Sequence, residues 1–187
     1  MHERAVKGDK AATLQAVKVL SAVCEREPGN TLALAYLGSA TALLGRDAID
    51  PNEQFSHAMR GLKLLDQAVE RAPDDIQVRT LRGYVCLNLP QAYFQRGRCA
   101  VEDFGHLARL HESGRACLPE GFYCEVLYNL GLACKETGRL AEAYETWKKL
   151  LAVTTDPRYR ALLKNEGMVN DPFADSSKGG ARSGHRR

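Results

Sequence analysis

A chain of 187 residues that is 44% hydrophobic and 26% charged has the composition of one globular domain or a short array of small repeats. Its 26 basic residues exceed 23 acidic ones by a net charge of +3, too little for a surface that binds nucleic acid by charge alone. No apolar run approaches the ~18 residues of a membrane span, the charged start lacks a signal-peptide stretch, and the six cysteines include no C-x-x-C pair, all of which points to a reducing, cytoplasmic setting.

From Ala11 to Lys164 apolar residues recur at three- and four-residue spacing without sustained alternation, so the pattern is helical throughout. Residues 1–10 contain Gly8 and the cations Arg4, Lys7 and Lys10, and are expected to form an extension too short to pack as a helix. A helix over 11–27 carries Leu14, Val17, Leu20, Val23 and Cys24 before Pro28-Gly29-Asn30. With only an extension before it, one side of that stripe is expected to stay open and to mediate self-association of this half unit. A helix over 31–44 ends at a turn running from Gly45 to Pro51. In Asp50-Pro51-Asn52-Glu53 a capping side chain, a first-turn proline and an acid favoured by the helix dipole fall together, predicting an unusually long helix from about 52 to 72. Further helices are predicted over 75–88, 91–111, 121–137, 140–153 and 157–164, separated by proline and glycine turns. Residues 165–187 are expected to be a disordered basic tail, because 176–187 hold four cations, no acid and no large apolar side chain.

The helices repeat in pairs. Ala16-x3-Leu20-x2-Val23-x4-Pro28 has the spacing of Gly61-x3-Leu65-x2-Ala68-x4-Pro73, and the frame recurs as Ala100-x3-Phe104-x2-Leu107 and Ala143-x3-Trp147-x2-Leu150. The partner helices share Leu34-x2-Leu37-Gly38 and Leu127-x2-Leu130-Gly131, each followed seven residues later by Gly45 or Gly138. Small residues let helices approach closely, and the large residue one turn on fills the gap between hairpins. The stretch from Tyr128 to Tyr144 resembles the tetratricopeptide repeat (TPR) family, whose frame is W-x2-L-G-x2-Y, A-x3-F, P. Earlier units depart from it: an 11-residue insert lies between Gly45 and Gly61, and Arg82 takes the glycine slot of the frame Val78, Leu81, Val85. The resemblance implies an all-α fold, an α-solenoid of antiparallel helical hairpins over residues 11–164, with a concave groove lined by the first helix of each hairpin. In the standard unit it places Gly131 against Ala143.

Neither G-x-x-x-x-G-K-[ST], G-x-G-x-x-G, G-x-S-x-G nor H-E-x-x-H occurs, so the reading is non-catalytic, with no cofactor and no small-molecule substrate. Two nitrogen donors five apart, His106 and His111, point about 140° apart on a helix. Cys117 and Cys124 flank the Pro119 turn and, with His111, form the candidate set for a metal or redox sensor; the competing reading is that the cysteines are small buried hydrophobes and that no metal is bound. The tail from Lys178 to Arg187 supports the other alternative, association with nucleic acid or a membrane surface, although the rest of the chain carries only −1.

Some TPR proteins clamp a chaperone-tail carboxylate on successive first helices. Here the corresponding positions are Ala35, Ser39, Thr80 or Leu81, Glu125 and Asn129, of which only Asn129 fits, while Glu125 repels a carboxylate. The expected groove is instead mostly apolar, with Tyr36, Ser39, Arg79, Thr80, Tyr128, Asn129 and Leu132 as candidate partner-binding residues. The expected function is a protein-interaction adaptor that takes a peptide or helix of a partner.

Overall fold

Capping side chains open half of the helices. In a computed structural model, residues 2–168 are described, and they form ten helices: α1 (His2–Val6), α2 (Lys10–Arg26), α3 (Thr31–Asp47), α4 (Pro51–Arg71), α5 (Ile76–Asn88), α6 (Gln91–Phe94), α7 (Gly97–Glu112), α8 (Glu120–Glu136), α9 (Leu140–Val153) and α10 (Pro157–Asn165). Asp9, Asn30, Asp50, Asp75 and Asp156 each accept a hydrogen bond from a first-turn N–H that would otherwise lack a partner. Asp50 binds the N–H groups of both Asn52 and Glu53, and the helix it opens runs 21 residues, as the insert predicts. The expected basic tail lies beyond Met168, outside the described residues apart from its first four positions.

Helices pair as α1 with α2, α3 with α4, α5 with α7 and α8 with α9, and each pair stacks on the next through α2 on α3, α4 on α5 and α7 on α8. The repeat frame supplies the interfaces. Its large slots Leu65, Phe104 and Trp147 are buried, as are the small slots Ala16, Gly61, Ala100 and Ala143, whereas Leu20 and Val23 of the first frame stay partly exposed. Ala68, Leu107 and Leu150 complete the frame with no exposed surface. Burying a side chain the size of Leu65, Phe104, Leu107 or Leu150 contributes about 1.5–3 kcal/mol. Two clusters result: one of Leu34, Ala35, Leu65, Ala68, Val69 and Val78, and a larger one centred on Phe104, Leu107, Leu127, Trp147 and Leu150.

Several expectations are corrected. Residues 2–6 do form a packed helical turn: Ala5 is fully buried, and Arg46 Nη2 and Nη1 donate to the carbonyls of Ala5 (2.9 Å) and Val6 (3.1 Å). The buried face of α2 is Ala12, Thr13 and Ala16, so Leu14 points outward and is 62% exposed. The predicted helix 91–111 is broken at Gln95, whose φ of 51° is left-handed. The Gln91 side chain holds that break: its Oε1 accepts from Gly97 N at 2.5 Å and its Nε2 donates to the carbonyls of Cys86 and Leu89. Gly45, expected in a turn, is inside α3, where a Cβ would lie 2.7 Å from Gln54 O on α4. Its counterpart Gly138 does turn the chain, at φ 76°.

Gly131 of the standard unit has as its nearest neighbour the indole of Trp147, one turn beyond Ala143 on the same helix. The ring lies in the space a Cβ would occupy, with Nε1 donating to Tyr128 O at 3.2 Å. In the first full unit the same crossing is made by Gly38 and Gly61, where a Cβ on Gly61 would stand 2.6 Å from Gly38 O.

The middle unit is held differently. Arg82, in the glycine slot, reaches back to Asp103 on α7 with Nε at 2.7 Å from Oδ2 and Nη2 at 2.8 Å from Oδ1. Arg79 Nη1 donates to the same carboxylate at 2.8 Å. Asp103 is fully buried. Asp66 extends the cluster, accepting from Arg82 Nη1 at 3.2 Å and Arg96 Nη2 at 2.5 Å, and Glu102 lies at its outer edge. Burial opposes the Arg82 charge, but the hydrogen bonds and charge of Asp103 outweigh it and hold the guanidinium above its ordinary pKa.

This packing sets two expectations for stability. Gly131→Ala is expected to overpack against Trp147 and cost about 1–3 kcal/mol in urea unfolding, displacing the ring from Tyr128 O. Asp103→Asn keeps the volume but leaves Arg79 and Arg82 buried without their carboxylate, and is expected to cost about 3–5 kcal/mol in the same measurement.

Candidate functional site

The first helices of successive hairpins form a row: α1 beside α3, α3 beside α5, and α5 beside α8. Aligning Gly38, Arg82 and Gly131 puts Tyr36, Thr80 and Asn129 in one column of that row and Ser39, Gly83 and Leu132 in the next. Tyr36, Thr80, Tyr128 and Leu132 are partly exposed along this row, whereas Ser39, Arg79 and Asn129, expected to face the groove, are buried.

At the start of the row His2 reaches from α1 onto α3. Its Nε2 is 3.0 Å from Ser39 Oγ, and its ring meets Tyr36 edge-on with centroids 5.0 Å apart. In the middle Thr80 folds back on its own helix, its hydroxyl donating to Ile76 O at 2.6 Å. Tyr84 bridges α5 and α8: its hydroxyl donates to Glu125 Oε1 at 2.5 Å and accepts from Asn129 Nδ2 at 3.3 Å. Asn129 also donates to Glu125 O, so it is buried in structure rather than free in the surface. Burial and the Glu125 carboxylate both raise the Tyr84 pKa, which keeps the bridging proton on the phenol. Beyond it Tyr128 lies against Tyr159 of α10 at 6.2 Å, and Leu132 is half-buried.

Arg79 is set apart from these residues. It aligns with Ala35 and Tyr128 and points into the core, where Asp103 and the carbonyl of Pro73 hold it. Its charge is consumed by the fold. Sequence reasoning missed His2 and Tyr159, which reach the row from the two flanking short helices, and gave no role to Tyr84.

The sensor residues do not converge. His111 Nδ1 accepts from Leu118 N at 3.1 Å and its ring lies 4.1 Å from Tyr123, while Cys124 is buried and Cys117 exposed. Among the described residues no group of three or more His, Cys, Asp and Glu side chains is arranged to hold a metal ion.

A second surface arises where the chain departs from the repeat. The extended start of α4 and the segment around α6 enclose a cleft of about 550 Å³, lined by Ala42, Gly45, Phe55, Leu89, Tyr93 and Phe94 among others. Phe55 stacks on Phe94 at 5.3 Å, yet Phe55 and Tyr93 remain 51% and 79% exposed. Large exposed apolar side chains rimming a cleft are a feature of interaction surfaces.

No protein-family model matches the sequence, and no curated protein matches it. Among solved structures the chain is similar to TTC0263, a thermophilic TPR protein of Thermus thermophilus, with a TM-score of 0.64 at 19% identity, covering 85% of this chain and 75% of that one. The fold is a TPR-like helical solenoid. At this identity the likeness establishes the architecture and leaves the surface to be read from the chain's own residues. No described helix is long and apolar enough to cross a membrane.

Burial holds the His2 imidazole below its ordinary value of 6.5. A histidine depressed in the folded state stabilises docking above the unfolded pKa and loses that contribution as pH falls through the folded value. Lowering the pH from about 7.5 to about 5.5 is therefore expected to weaken the docking of α1, read as a several-fold loss of amide protection, relative to the intrinsic exchange rate at each pH, at Lys7, Gly8 and Asp9, whose N–H groups donate to the carbonyls of Glu3, Ala5 and Arg4. His2→Ala is expected to remove that pH dependence.

Proposed function

We propose that this chain is a non-catalytic scaffold that binds a peptide or helix of a partner protein along its row of first helices. What supports the reading is the partial exposure of Tyr36, Thr80, Tyr128 and Leu132 on α3, α5 and α8 of a TPR-like stack. Half-buried aromatic rings such as Tyr36 and Tyr128 supply contact area at low conformational cost. The Tyr84–Glu125–Asn129 bridge between α5 and α8 fixes the spacing of these two first helices. A cytoplasmic location accords with this role and with the free cysteines.

Arg79 has no part in this binding, since its guanidinium is already paired in the core. The nucleic-acid or membrane-surface alternative rests on residues 176–187, outside the described residues. Self-association through the N-terminal half unit is retained in the proposal because Val6, Leu14 and Val19 are exposed there.

The test is affinity capture from the native host on the immobilised full chain, with Tyr36→Ala/Tyr128→Ala and the exposed second-helix change Lys63→Ala as variants whose folding is verified by circular dichroism. The expected result is a discrete set of proteins retained by wild type and Lys63→Ala and lost with the double tyrosine change. Identical recovery from all three overturns the assignment of the surface. Light scattering of the same preparations over a concentration series is expected to show a dimer that Leu14→Lys dissociates.

A further inference from the structure

The sulfurs of Cys86 on α5 and Cys99 on α7 stand 2.8 Å apart. That is closer than unbonded sulfur atoms ordinarily approach, and longer than the about 2.05 Å of a disulfide. Cys86 is fully buried and Cys99 half-buried, so Cys99 is the less enclosed of the two. The pair borders the ion cluster: Cys99 Sγ lies 3.8 Å from Asp103 Oδ2, and the charges of Arg82 and Arg96 act on it. Arg96 Nε is buried with no hydrogen-bond partner among the described residues. Packing alone accounts for a small apolar side chain at each position, but not for two sulfurs inside contact distance.

We propose that Cys86 and Cys99 are a reversible disulfide site, oxidised by a hydroperoxide and restored by a dithiol. The Cys99 thiolate attacks one oxygen of hydrogen peroxide; an S–O bond forms, the O–O bond breaks, and the departing hydroxide leaves as water after taking the proton that Cys99 released. The Cys86 sulfur then displaces the hydroxyl from the Cys99 sulfenic acid; the S–S bond forms and the Cys86 proton leaves with that oxygen as a second water. Two thiols lose two electrons and two protons, and the peroxide is reduced to two waters. Cys86 and burial keep the Cys99 thiol well above the ordinary thiol range, so the reaction draws on a small thiolate fraction and runs more slowly than at a free cysteine.

The bond has a structural consequence. The segment between the two cysteines contains α6, the left-handed Gln95 and the Leu89, Tyr93 and Phe94 side chains that wall the cleft. A disulfide ties the two ends of this segment together and restricts its conformations.

The experiment treats the full chain with hydrogen peroxide, alkylates the remaining thiols and maps the peptides. The expected result is a Cys86–Cys99 link with Cys24, Cys124 and Cys134 still alkylated. The link disappears with dithiothreitol and is unaffected by Cys117→Ser. Amide exchange across residues 89–96 is expected to slow several-fold in the oxidised chain, and Cys99→Ser is expected to show neither change. Because a variant that failed to fold would also lack the link, mapping of the wild-type chain decides by itself. Cys86 and Cys99 both alkylated after Cys117 has been oxidised, or either one joined to a different cysteine, overturns the proposal. A link that forms while exchange across 89–96 stays unchanged refutes the constraint on that segment.

Discussion

A buried carboxylate is tolerated only where cations surround it, and Asp103 imposes that condition on the centre of this solenoid. Its two oxygens fix Arg79 and Arg82 on α5, and Arg82 in turn draws in Asp66 from α4 and, through it, Arg96 at the entry to α7. Three helices of two neighbouring hairpins, α4, α5 and α7, are thereby registered on one another by charge. The break at Gln95 belongs to the same arrangement, since a continuous helix through 91–97 would carry Arg96 and Gly97 to other positions. Where other units rely on a small residue to let helices close, this one uses a long side chain that reaches across the gap.

The flanking units satisfy the same frame by volume. Gly38 and Gly61 bring two backbones together, whereas Gly131 makes room for the Trp147 ring. Both solutions fill the space between first and second helices, and they differ in which chain surrenders volume. Because each hairpin packs only on its neighbours, one unit can use charge, another backbone contact and another an aromatic ring without propagating strain.

The surfaces available for partners are set by the departures from the repeat more than by the repeat itself. The short helices at the two ends place His2 on Tyr36 and Tyr159 on Tyr128, so the row of first helices is partly occupied by the chain's own residues. The lengthened α4 and the broken α6 build an aromatic cleft that a standard hairpin would not have. The Cys86 and Cys99 sulfurs meet at the base of the segment that forms one wall of it.

Helix class, hairpin order and the long α4 were determined by the sequence alone, because apolar spacing and the Asp50-Pro51 start act within a few residues of themselves. The repeat frame was equally legible: Leu65, Phe104 and Trp147 are buried where their spacing placed them. What only the tertiary structure decided was which partner each slot meets. Gly45 and Gly138 hold the same place in the frame, yet one lies beneath a neighbouring helix and the other turns the chain. Arg79 resembled a surface cation until Asp103, 24 residues on, proved to share its pocket. His2 reaches Ser39 across 37 residues and Tyr84 reaches Glu125 across 41, separations over which no local pattern carries information. Such contacts arise when helices already specified by local rules are stacked, and the free energy of pairing a buried charge or filling a void is defined only in that assembled state.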